Sequence, residues 1–103
     1  MATFAEEIEA EAGGPIVGVV VAMSRHFNPY EEGARDPQPV YSWQEVRPLL
    51  DYEYDHGFGG TDCHAITAWT ADKVLFVVEY DGSTWVASVP RNPITHVPAM
   101  FGG

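Results

Sequence analysis

The sequence predicts a small α+β domain in which a mainly antiparallel sheet of three or four strands carries one or two short helices. Three observations predict it. Runs rich in β-branched and aromatic residues at 64–70, 73–80 and 83–89 follow one another with two-residue breaks. A further β-branched run lies far upstream at 16–24, and capping boxes open helical patterns at 3–12 and 42–50.

The first pattern opens at Thr3, with Glu6 three residues on, and stops at Gly13-Gly14. Only Phe4, Ile8 and the alanines are apolar, so residues 1–14 form a helix that is stable when docked and frays when not. Pro15 then leads into Ile16-Val-Gly-Val-Val-Val-Ala-Met-Ser24, whose unbroken apolar character predicts a central strand buried on both faces. Residues 25–40, with three prolines and mixed charges, read as a long excursion of the kind that serves function.

In Ser42-Trp-Gln-Glu-Val-Arg-Pro-Leu-Leu50, Ser42 and Glu45 form the second capping box, and Trp43, Val46 and Leu50 share one helical face. Pro48 removes a backbone donor past the first turn, which predicts a kink or a fresh start at that residue. The stretch from Tyr52 to Phe58 alternates aromatic with acidic residues and has no clear element type.

The last three strands form a meander. Asp81-Gly82 between two β-rich runs predicts a two-residue hairpin that sets Tyr80 opposite Ser83 and Val78 opposite Trp85. Trp85, Ala87 and Val89 would then share a core-facing side with Val78 and Phe76. Trp43, Trp69 and Trp85 are all expected in the core. Residues 90–103, with three prolines, are expected to form an extended tail.

With 103 residues there is room for a single domain, 1–103, and a hydrophobic content of 46 % is enough to fold it. Fifteen acidic residues against five basic ones give a formal charge of −10, which repels nucleic-acid phosphates and anionic lipid and favours a basic protein surface as partner. One cysteine makes no internal disulfide, which fits a reducing compartment, and the longest apolar run is too short to span a bilayer. Cytoplasmic placement without membrane insertion is the expectation. Four Arg to one Lys, with eleven Ala and ten Gly against two Asn and four Ile, indicate a high-GC genome. In that composition the chain resembles the short accessory proteins of actinobacteria and their phages; the resemblance rests on no motif and carries no residue across.

The densest chemistry lies in Asp51-Tyr-Glu-Tyr-Asp-His-Gly-Phe-Gly-Gly-Thr-Asp-Cys-His64, where four carboxylates, three aromatics, two histidines and the only cysteine fall within fourteen residues. The spacing matches no phosphate loop, zinc site, hydrolase elbow or nucleic-acid module. Tyr52, Tyr54 and Phe58 beside Glu53, Asp55 and Asp62 suit a contact surface with aromatic anchors and steering carboxylates. The competing bland reading puts one or two of these aromatics in the core.

Two further classes of function compete with binding. A small metal- or thiol-dependent enzyme would use Asp55, His56, Asp62, Cys63 and His64, with Asp62, His64 and His56 around an ion, or Cys63 with His26, His56 or His96 as base. Glu53 and Asp55 as an acid and base pair would need a cleft that so short a chain hardly supplies. Self-association as a homodimer through an uncovered sheet edge is the other class. The sequence favours a non-enzymatic binding protein that modulates or inhibits a basic-surfaced, host-derived target, with no cofactor.

Overall fold

A computed structural model describes residues 2–22, 25, 30, 36–57, 62–98 and 100. Two helices, α1 (Phe4–Ala12) and α2 (Trp43–Leu50), pack with one four-stranded antiparallel sheet of β1 (Gly18–Val21), β2 (Ile66–Trp69), β3 (Lys73–Tyr80) and β4 (Ser83–Pro90). The strand order β1-β2-β3-β4 follows the chain.

Both capping boxes form as read: Thr3 with Glu6, and Ser42 with Glu45, each satisfying backbone donors that a helix start leaves open. α1 is docked, with Phe4, Ala5 and Ile8 fully buried, and it ends on Gly13 in the left-handed region at φ 65°. Lys73 on β3 ties that end down, its Nζ donating to the Glu11 carbonyl at 3.0 Å. α2 runs unbroken through Pro48. Pro48 is solvent-exposed and the helix has only eight residues, so the missing N–H leaves the apolar contacts of Val46 and Leu50 in place.

The β3–β4 hairpin has the expected register, with Tyr80 opposite Ser83 and Val78 opposite Trp85. Asp81 at φ 49° and Gly82 at φ 83° make its two-residue turn, the double positive φ that matches the twist of the flanking strands. The main core cluster, however, lies on the other face from the one the sequence suggested, although Val78 and Ala87 of the suggested face are buried as well. Val19, Ala68 and Leu75 line up across the sheet beneath α1, with Val77 and Val86 packed alongside. Trp85 is 38 % exposed and Val89 37 %. The cause is that β3 reads Val74-Leu-Phe-Val-Val78, apolar at every position, so alternation cannot choose a face. Trp43 does pack against the core, while Trp69 is half-buried on the opposite face.

β1 is a second correction, because it is not central. It stands at the end of the sheet, and its outer side is closed by Tyr41, which exchanges two backbone hydrogen bonds with Val19 at 2.8 and 3.0 Å. That bridge, with α2 beyond it, gives an end strand the burial of an inner one. Val40 sits so close to Gly18 that an added Cβ would lie 3.0 Å from its side chain, a contact that the exposed Val40 would have to yield to by a few tenths of an ångström. Most of the predicted 25–40 excursion lies outside the described residues. Residues 91–98 are exposed and carry no helix or strand, and among the described residues no helix is long and apolar enough to cross a membrane.

Candidate functional site

Residues 51–57 cross the end of the molecule where α1 meets β4, and their side chains alternate. Asp51, Glu53 and Asp55 are exposed; Tyr54 is buried, and Tyr52 and His56 are half-buried. Two backbone bonds fix this stretch to its neighbours: Phe4 N–H donates to Tyr52 O at 2.7 Å and Thr84 N–H to His56 O at 2.9 Å. With its backbone so held and aromatics beneath, the segment keeps Asp51, Glu53 and Asp55 exposed; Asp51 pairs with Arg47 at 3.4 Å and Asp55 accepts from Gly57 N–H at 2.9 Å.

Each inward side chain has a definite partner. The Tyr54 ring meets Phe4 edge-on at 5.3 Å and stacks on His56 at 4.0 Å, and its hydroxyl donates to Glu7 at 2.7 Å. The other Glu7 oxygen bonds His56 Nε2. One α1 carboxylate thus holds two residues of the segment. The Tyr52 hydroxyl accepts from the His64 backbone N–H at 2.9 Å and lies 2.8 Å from His64 Nδ1.

Arg25 joins the two ends of the fourteen-residue stretch. Its guanidinium lies over the Tyr52 ring at 4.0 Å and donates to the carbonyls of Glu53 and Asp62, both at 3.0 Å. An ion pair to the Asp62 carboxylate at 3.3 Å adds to these. A guanidinium suits this place, because its planar fork can stack on an aromatic while serving several oxygens.

Burial controls the titrations here. It pushes the Cys63 thiol up to about 12, with the neighbouring Asp62 charge adding to the effect, and Cys63 is fully buried. It pushes the Tyr52 phenol up to about 12 as well. For Tyr54 the upward push of burial is reinforced by the Glu7 carboxylate that its hydroxyl faces. Burial of this kind disfavours the thiolate, the form in which a cysteine acts as a nucleophile.

Of the contact residues read from the sequence, Glu53 and Asp55 are exposed and Asp62 is half-buried against Arg25. Tyr54 takes the core placement that the alternative reading allowed for one or two of these aromatics, at 5 % exposure with its ring edge-on to Phe4 of α1. Tyr52 is half spent in the same way. Phe58 and His26 lie outside the described residues. The enzyme grouping does not converge: His56 turns to Glu7, His64 to Tyr52, and Cys63 into the core. Among the described residues no three His, Cys, Asp or Glu side chains come together around a point that could hold a metal ion.

Two participants escaped the sequence reading. Glu7 lies 47 residues from Tyr54, and its only signal was a place beside the Phe4–Ile8 stripe. Arg25 is the first of only five basic residues in an acidic chain, and that scarcity is its sequence signal. No protein-family model matches the chain, and neither a curated protein nor a solved structure does.

Proposed function

We propose that this chain is a non-enzymatic acidic protein that binds a basic surface of another protein and modulates or inhibits it. The exposed carboxylates of Glu53 and Asp55, on alternate residues of a backbone anchored to α1 and β4, carry the reading, while Asp51 beside them is held by Arg47 at 3.4 Å and Thr3 Oγ1 at 2.8 Å. Charges fixed before contact cost little ordering when a partner arrives, and the −10 net charge extends their reach at low salt. The burial of Cys63 and the separate partners of His56 and His64 give an enzyme reading no comparable support. If the high-GC composition is that of a phage, the target is a protein of the host.

The test is affinity capture of the tagged protein from lysate of a high-GC bacterium, set beside a Glu53→Gln/Asp55→Asn variant whose circular dichroism matches wild type. One stoichiometric partner is expected, held about tenfold more weakly by the variant and released as salt rises. A partner retained equally by both proteins at both salt levels would overturn the reading.

A further inference from the structure

The β3–β4 register determines which way each backbone group of β4 points. Tyr80 and Ser83 flank the two-residue turn and bond to each other, so Ser83, Trp85, Ala87 and Val89 face β3, while Thr84, Val86 and Ser88 face outward. Thr84 N–H is taken by the His56 carbonyl. Among the described residues nothing pairs with the outward N–H and C=O of Val86 and Ser88. The stretch ends at Pro90, which offers no donor. β1 closes its own outer side with Tyr41, so the two ends of the sheet are treated differently.

The two sides of this edge also differ. On the α1 side is a cleft of about 340 Å³ lined by Glu7, Ala10, Glu11, His56, Trp85 and Val86. Glu11 reaches the edge itself, where it accepts from Ser88 Oγ at 2.6 Å. By strand alternation Trp85 and Val89 send their side chains to the other face, where both are exposed, so Trp85 borders the cleft from across the edge. A strand added here would send alternate side chains to opposite faces, one set toward Glu7 and Glu11 and the other toward Trp85 and Val89.

We propose that the outer edge of β4 at Val86–Ser88 receives a short extended segment of a partner protein in which Lys or Arg alternates with apolar residues. It rests on the preceding reading only for the basic character of the partner. Charge decides between this occupant and a second copy of the chain. Two β4 edges paired together would bring the Glu7 and Glu11 carboxylates of both copies to one seam, on bodies of −10 each, whereas a basic segment neutralises them.

The probe is the capped hexapeptide Lys-Val-Lys-Val-Lys-Val, added to the full ¹⁵N-labelled chain and followed by amide shifts and hydrogen exchange. Saturable shifts along β4 are expected, with exchange at Val86 and Ser88 slowed at least tenfold. A peptide N-methylated at alternate residues, with the same charge and no edge donors, should lose the effect, as should one with Glu in place of Lys. Glu11→Gln should weaken binding several-fold. Equal binding by the N-methylated peptide, shifts confined to Glu53 and Asp55, or no shift would each overturn the proposal. So would protection of Val86 and Ser88 that grows with protein concentration and needs no peptide, since a second copy would then hold the edge. Lysate capture through Glu53 and Asp55 with an unoccupied β4 edge leaves the function standing and removes this inference; a peptide on the edge with no captured partner does the reverse.

Discussion

Tyr54 performs three tasks with one side chain. Its ring supports Phe4, its flat face carries His56, and its hydroxyl orients Glu7. Truncation to alanine removes the ring from the place where α1 is seated, and loss of a buried aromatic costs about 3–5 kcal/mol. Tyr54→Phe keeps the packing and loses a hydrogen bond to a charged group, a cost of about 1.5–3 kcal/mol. Urea midpoints should therefore fall in the order wild type, Phe, Ala, with α1 the first element to lose amide protection in the Ala variant. An Ala variant as stable as wild type would mean that the ring is not part of the core. The alternation of 51–56 was legible in the residues, since Asp, Glu and Asp separated by Tyr is a two-residue period. Its direction was not: which side faces inward is set by α1, and Glu7 reaches the segment from 47 positions away.

Among the elements, those with local signals were the legible ones. The two helices have side-chain caps written into four residues each, and the hairpin has Asp-Gly at its tip. β1 and the sheet faces depend on distant partners, Tyr41 for one and α1 for the other, and a run such as Val74–Val78 is equally apolar on both sides. The hairpin prediction concerns Gly82. At φ 83° it occupies backbone space that a Cβ disfavours, so Gly82→Ala should cost about 1–2 kcal/mol by thermal or urea unfolding. An unchanged midpoint would show that the turn relaxes to another type. The α1–α2 junction rests on Glu9, which takes both forks of Arg47 at 3.0 and 3.1 Å as well as the Trp43 indole N–H at 3.0 Å. Those hydrogen bonds, Arg47 first, hold the Glu9 carboxyl below its ordinary range.

For the whole molecule, the raised thiol and phenols make stability a function of alkaline pH. In the unfolded chain Cys63 and the tyrosines ionise near their ordinary 9.0 and 10.0, while in the folded chain burial holds Cys63 and Tyr52 neutral until about 12. Tyr54 is raised in the same sense. A group whose folded pKa is the higher one binds its proton more tightly in the native state, so its contribution is complete below the unfolded pKa and is lost as pH climbs toward the folded value. The urea midpoint should be level from pH 7 to about 9 and then fall progressively toward pH 11. Cys63→Ala, despite its own small cavity cost, should move the start of that fall up toward pH 10. A midpoint level throughout would mean that these groups ionise alike in both states.

Lys73 is the chain's single lysine, and its amine is occupied in holding the last turn of α1 through the Glu11 carbonyl. Reagents that couple to amines thus find no ordinary lysine on the surface of this protein. Acylation of Lys73 would remove the charge from the clasp of α1, and biotinylation or resin coupling through this amine would loosen the helix that carries Glu7 and Glu11. Immobilisation should therefore use a peptide tag, which leaves the Lys73 clasp on the Glu11 carbonyl intact.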